Sequence, residues 1–231
     1  MAGRDVAVVT GAARGIGLAV AQRLGARGTA VAAVDVDGDA LARAPLPPDS
    51  LRITADVADD PEDWVGRVDE HLGPPTVLVN NAAWMDGRSF LELPMDAARR
   101  SLDVTLLGTW AVTRAVVDRM IRHGGPGSIV FTLSLHARRV RFCPDYSVAK
   151  AGLAMLVQEL ANELGPFGIR VNGVSPGAIA TWADRVPTRT STGPAARRWS
   201  HWAGSAPPTT SPGPSSSSPT PTPVGTSPGP T

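Results

Sequence analysis

Six short apolar runs separated by helical patterns limit what this chain can fold into. The runs are Val6–Thr10, Ala30–Asp35, Leu51–Thr54, Val77–Asn80, residues 128–134 and Ile169–Val174, most of them rich in Val or Ile. Helix-like stretches at 15–27, 61–72, 95–122 and 146–164 fill the spaces between them. A strand that is apolar at successive positions has no face to present to water, so its sheet must be covered on both sides. Parallel neighbours need a crossover of a dozen residues or more, which a helix supplies. The alternation therefore predicts an α/β domain built on a parallel sheet.

This pattern runs to about residue 184 and then stops. Residues 1–184 read as one domain and 185–231 as an irregular stretch followed by a Pro/Ser/Thr/Gly tail, in which 207–231 holds Val224 as its one exception. Such a composition buries too little apolar surface to offset its ordering entropy, so the tail is expected to be disordered. It reads either as a linker or as an out-of-register translation of a GC-rich frame, and the single lysine of the chain suits the second. With 42% hydrophobic residues the first 184 positions can build a core. A net charge of +1 and the absence of a strong basic cluster argue against a nucleic-acid partner. The densest run, His136 to Arg141, reads as a solvated loop. One cysteine, Cys143, excludes an internal disulfide and fits a reducing compartment. The first apolar run is too short for a signal peptide or a membrane span, so a soluble cytoplasmic protein is expected. No His/Cys/Asp cluster has metal-ligand spacing, so no metal is expected.

The first strand ends in Thr10-Gly11-Ala12-Ala13-Arg14-Gly15-Ile16-Gly17, and a helical pattern follows. Glycines in such a turn let the backbone approach a pyrophosphate, while the helix N-terminus offers free N–H groups and the positive end of its dipole. The alternative is a plain strand–helix turn. Asp35 closes the second strand, 18 residues beyond Gly17. A carboxylate there can accept hydrogen bonds from both adenosine-ribose hydroxyls and repels a 2′-phosphate, which favours NAD over NADP. Arg14 pulls modestly the other way, since a guanidinium pairs well with phosphate. Asp35 also has a plainer reading as a solvated acid at a strand end.

Tyr146 and Lys150 are the only tyrosine and the only lysine of the chain, and they stand four residues apart. On a helix that spacing puts both on one face. A free phenol has a pKa of about 10 and is a poor acid or base at neutral pH. A neighbouring ammonium favours the phenolate and brings that pKa toward the working range. Alone, the pair reads equally as a surface aromatic–lysine contact.

Together with the glycine turn and the segments between, the pair resembles the short-chain dehydrogenase/reductase family. The resemblance covers about residues 5–181 and meets the motifs in order. Residues 10–17 resemble the family's Thr-Gly-x-x-x-Gly-x-Gly turn, and Asp56-Val57 matches the Asp placed beside the adenine. Asn80-Asn81-Ala82-Ala83 is similar to Asn-Asn-Ala-Gly, with Ala83 in place of the glycine. Ser134 matches the serine at the end of strand five, and Asn172 to Gly177, with Ile179 and Thr181, the segment flanking the nicotinamide. The resemblance implies a Rossmann-type doubly wound sheet, three layers α/β/α, in strand order 3-2-1-4-5-6 with the family's last strand missing. It implies an NAD(H)-dependent oxidoreductase acting on a secondary alcohol or ketone. Thr10, Gly11, Arg14, Gly15, Ile16, Gly17, Asp35, Asp56, Val57, Asn81, Ala82, Ala83, Pro176, Gly177, Ile179 and Thr181 are expected to bind the cofactor with Tyr146 and Lys150. Tyr146 would exchange a proton with the substrate oxygen, Lys150 would lower the tyrosine pKa and bond the nicotinamide ribose, and Ser134 would hold the carbonyl or alcohol oxygen. The resemblance also implies a homodimer through the two long helices.

Two departures stand out. Thr105 replaces the family's helical Asn in Asp103-Val104-Thr105-Leu106-Leu107-Gly108, where a weakened proton relay is expected; the alternative is a Thr bonding its own preceding turn. After strand six the Pro-rich tail replaces the family's covering segment, helix and final strand, which would leave an exposed edge that Trp182, Trp199 and Trp202 patch at best in part. Trp84 and Phe142 either line an apolar pocket or seal their loops, and His136 either contacts substrate or is an exposed loop residue. A non-catalytic nucleotide-binding protein, or an inactive truncated relative, is the alternative function.

Overall fold

All six apolar runs are strands in the computed structural model, which describes residues 4–177. The expectations for Ile179, Thr181, Trp182, Trp199, Trp202 and the segment from 185 onward lie outside those residues. The strands are β1 (Val6–Thr10), β2 (Ala30–Asp35), β3 (Leu51–Thr54), β4 (Val77–Asn80), β5 (Gly127–Thr132) and β6 (Ile169–Val174). Every pairing is parallel, in the order β3-β2-β1-β4-β5-β6. The register sets Val8 beside Ala32 and Leu78, so the first strand lies at the centre of the apolar sheet.

Alternate residues of the central strands β1, β2 and β4 feed opposite cores, as the two-residue period requires. On one side Ala30, Ala32 and Val34 of β2 join a cluster with Trp64, Val116 and Leu153. On the other, Val31 and Ala33 join Val9, Ala21 and Leu41. The helices that supply these partners are α1 (Gly15–Gly25) and α2 (Gly38–Arg43) on the second side, and α3 (Glu62–Leu72), α5 (Thr109–His123) and α6 (Pro144–Leu164) on the first. This is the three-layer, doubly wound Rossmann-type arrangement. Among the described residues no helix is long and apolar enough to cross a membrane.

Three local features differ from the sequence reading. The pattern at 95–122 is not one uniform helix: α4 (Met95–Leu102) passes through a π-helical segment, Asp103–Gly108, into α5. Strand β5 ends at Thr132, so Ser134 lies beyond it and caps a short 3₁₀ turn, Leu135–Ala137, by accepting a hydrogen bond from the His136 N–H at 3.2 Å. The helix α2 had no place in the apolar pattern. It starts because the Asp37 side chain accepts from the Ala40 N–H at 2.9 Å, an N-cap.

The turn after β1 is held open for close approach. Gly11 adopts φ +66°, and a Cβ on Gly17 would stand 2.1 Å from the Gly11 carbonyl oxygen. Both partners in that clash are fixed backbone, so rotation of a side chain cannot relieve it. Gly17→Ala is expected to destabilise the protein by about 3 kcal/mol. Gly125→Ala, where nothing lies within 4 Å and φ is not positive, is the control and should stay within about 0.5 kcal/mol of wild type. Urea unfolding followed by circular dichroism measures both, and equal stabilities for the two variants would refute the packing argument.

Candidate active site

A hydroxyl ties the carboxyl ends of β1 and β4 together. Thr10 Oγ1 accepts hydrogen bonds from the Asn81 N–H at 3.0 Å and the Ala82 N–H at 3.1 Å, and donates to the Val79 carbonyl at 3.4 Å. The Asn81 amide then donates to the carbonyls of Thr10 and Gly11 at 3.1 and 3.2 Å. Connections leave these two strands in opposite directions, and the crevice of a doubly wound sheet opens at that point. Here a cleft of about 370 Å³ runs past Gly11, Arg14, Gly15, Ile16, Asp35 and Val57 to Asn81, Ala82, Ala83 and Trp84, and on to Tyr146 and Lys150.

One end of the cleft is polar and charge-paired. Asp35 is 9% exposed; its two oxygens accept from the Ala13 N–H at 2.9 Å and the Asp37 N–H at 3.0 Å. Arg14 forms an ion pair of 2.6 Å with Asp37, whose carboxyl is held below its ordinary range chiefly by the Ala40 N–H and further by Arg14. Asp56 pairs with Arg100, which reaches over from α4, and accepts from the Ala58 N–H. Burial pushes the Asp56 carboxyl up, but Arg100 and the Ala58 N–H outweigh it and the net direction is down. Gly11 and Gly15 both have positive φ, which bends the backbone around this end in the manner of an anion cradle.

The other end is dry. Lys150 is 1% exposed, and its Nζ donates to the Thr132 carbonyl at 2.5 Å. Burial without a carboxylate partner lowers its pKa to about 7. Nζ lies 5.4 Å from the centroid of the Tyr146 ring. That contact is a cation–π attraction only in the charged form of the lysine, which burial disfavours. Tyr146 is pushed up to about 12 by burial, against a hydrogen bond with Ser134 that pulls it down. The depression of the phenol expected from Lys150 is therefore absent in this structure, because burial drives both groups toward their neutral forms.

Neighbouring side chains frame this pair. The imidazole of His136 meets the Tyr146 ring edge-on, with centroids 5.2 Å apart and planes at 79°. Its pKa is lowered by burial and then by Arg141, with Asp145 opposing. Cys143 is buried and donates to Asp145 at 3.4 Å; burial and that carboxylate raise its thiol to about 12 and keep it protonated. Phe142 takes φ +55°, a left-handed conformation unusual for a bulky residue, at the end of the loop that joins Ser134 to α6.

Thr105 is fully buried in the π segment, and it does not bond its own preceding turn. Its hydroxyl accepts from the Trp84 N–H and donates to the Trp84 carbonyl, both at 3.0 Å. Thr10, Gly17, Thr105 and Ser134 stand behind or beside the cleft rather than on its lining, and so do Pro176 and Gly177, which follow β6. The sequence reading missed Thr132 and Arg100. Thr132 acts through its backbone carbonyl, which carries no residue signature, and Arg100 meets a partner 44 positions away.

A family model for short chain dehydrogenases matches residues 5–190. An uncharacterized oxidoreductase of Schizosaccharomyces pombe is 35% identical over 197 residues, which cover 84% of this chain and 75% of that protein. The human L-xylulose reductase is 37% identical over 202 residues, covering 82% of this chain and 80% of the relative. Among solved structures, carveol dehydrogenase from Mycobacterium avium in complex with NAD superposes with a TM-score of 0.72 at 30% identity, over 78% of this chain and 72% of that one.

The lysine shift has a measurable consequence. Folded Lys150 titrates near 7 and a free lysine near 10.5, so between those values the unfolded chain binds more protons and stability rises with pH. Tyr146 acts in the opposite sense only from pH 10 to about 12, where the unfolded phenol ionises first. From pH 7 to pH 9.5 the wild type should gain on the order of 3 kcal/mol of unfolding free energy relative to Lys150→Met. Urea titrations at the two pH values give the comparison, and parallel pH slopes for the two proteins would contradict a depressed lysine.

Proposed function

The chain belongs to the short-chain dehydrogenase family, and from that premise we propose that it is an NAD(H)-dependent oxidoreductase acting on a secondary alcohol or ketone. The observation that carries this reading is the pair of Tyr146 and the buried Lys150, with Ser134 beside them, at the dry end of a cleft whose other end is a glycine turn facing Asp35. The residues fit a dinucleotide: two positive-φ glycines bend the backbone round the pyrophosphate end, and Asp35 lines the ribose end. When bound, the nicotinamide supplies or accepts the hydride. Preference for NAD rests on charge. Both arginines that line the cleft are committed to carboxylates, Arg14 to Asp37 and Arg100 to Asp56, and Asp35 repels a 2′-phosphate.

In the reductive direction Tyr146 starts as the neutral phenol, the form that burial favours, and gives its proton to the oxygen that becomes an alkoxide. Ser134 holds the same oxygen and stabilises the phenolate left behind. Lys150, whose Nζ is held in place by the Thr132 carbonyl, stands beside the phenolate and in its ammonium form stabilises it. Thr105 has both hydroxyl functions satisfied by Trp84, so its part is to hold the Trp84 loop against the π segment.

The proposed homodimer through α5 and α6 is supported by exposed apolar side chains, Leu107 just before α5, Trp110 on α5, and Val148 and Met155 on α6. A reducing, cytoplasmic setting fits the single, buried, protonated Cys143.

Tyr146→Phe should lower kcat for ketone reduction by about a hundredfold or more while NADH still quenches the tryptophan fluorescence. Wild-type turnover in that variant, or NADH binding with no turnover across a broad ketone panel, would end the catalytic reading. NADH should be used at least tenfold more efficiently than NADPH, and Asp35→Ser should narrow that ratio. Trp110→Arg should halve the mass seen by light scattering; an unchanged mass would remove the helical face from the dimer.

A further inference from the structure

We infer that His136 is a positioning residue that fixes the ring of Tyr146, an assignment that rests on the reading of Tyr146 as the proton-transfer group. Three contacts support it, two to neighbouring residues of α6 and one to the turn that follows β5. The imidazole packs edge-on against the phenol ring at 5.2 Å and 79°, within the favoured geometry of aromatic pairs. Its Nδ1 meets Ser147 Oγ at 3.3 Å, so the imidazole is tethered to the helix that carries Tyr146, one residue along. Its backbone N–H donates to Ser134 Oγ at 3.2 Å, which occupies one lone pair of the oxygen expected to bond the phenol.

These contacts close a ring: Ser134 to Tyr146, Tyr146 to His136, and His136 back to Ser134 and across to Ser147. A tyrosine held only at its hydroxyl can swing about the Cβ–Cγ bond, and a flat neighbour standing on edge blocks that motion. The imidazole therefore acts on the orientation of the phenol, and it exchanges no proton with substrate. Half-buried and next to Arg141, it remains neutral at working pH, which suits an edge-to-face contact and a hydrogen bond with a hydroxyl.

The chain has one tyrosine, so a protein labelled with [ζ-13C]tyrosine gives a single phenol resonance that reports Tyr146 directly. His136→Phe keeps a ring on edge and loses the tether; His136→Ala loses both. In His136→Ala the Tyr146 resonance should move toward the position of free tyrosine, and kcat should fall about tenfold, equivalent to about 1.4 kcal/mol, with the NADH KM within about twofold of wild type. His136→Phe should restore the resonance and bring kcat back to within about threefold. An unmoved resonance in His136→Ala, or a His136→Phe variant as impaired as the alanine, overturns the inference. Should no ketone be turned over by the wild type, the reading of Tyr146 as a catalytic residue fails, while the resonance still decides whether His136 sets the ring.

Discussion

The bond network of the Thr10 hydroxyl sets the frame for everything else at the carboxyl edge of the sheet. One oxygen serves two N–H groups and one carbonyl, at the single place where adjacent strands send their connections in opposite directions. The Asn81 amide extends the tie to the Gly11 carbonyl, and Gly17 packs onto that same carbonyl from the helix side. Strand, turn, helix and neighbouring strand therefore meet within a few ångströms with no side-chain bulk between them. The cleft opens beyond this point, over a floor tied by these bonds.

Along the cleft the governing energy changes from charge pairing to desolvation. At the wet end, carboxylates keep partners: Asp37 has Arg14 and Asp56 has Arg100. Such exposed or half-exposed pairs are individually worth little, but they fix where charge sits. At the dry end Lys150 has a carbonyl and no counter-ion. Keeping it buried costs stability, which the apolar contacts of α6 with the core offset. Burial leaves a lysine near 7 beside a phenol pushed up to about 12, so both groups are driven toward their neutral forms. A site that begins neutral can hand a proton to an incoming oxygen and then stabilise the charge that results.

The sheet was readable because burial on both faces writes itself into consecutive residues such as Val6-Ala7-Val8-Val9 and Ala30-Val31-Ala32-Ala33-Val34. The same is true of the glycine turn, whose spacing reflects backbone clashes that no other residue avoids. What stayed hidden acts through groups without a residue signature or over long separations. α2 is six residues long and rests on its Asp37 cap. Thr132 contributes a carbonyl, and Arg100 finds Asp56 only once the chain has folded. The sense of the Tyr146 shift was also out of reach: spacing puts an ammonium near a phenol, but the depth of burial decides whether that ammonium is charged.

The π segment shows how a substituted position can keep a structural task while its chemistry changes. In a regular helix adjacent residues diverge by about 100°. Here Val104 lines the cleft while Thr105, next to it, bonds both backbone groups of Trp84. The wider winding of this six-residue segment brings Gly108 so near the Val57 carbonyl that a Cβ would stand 2.4 Å from it. The segment thus grips the loop after β4 on one side and the loop after β3 on the other, and both loops line the cleft. A longer polar side chain at 105 would have to displace the Trp84 backbone to fit. The threonine therefore belongs with the loop it holds, because its hydroxyl is spent on Trp84.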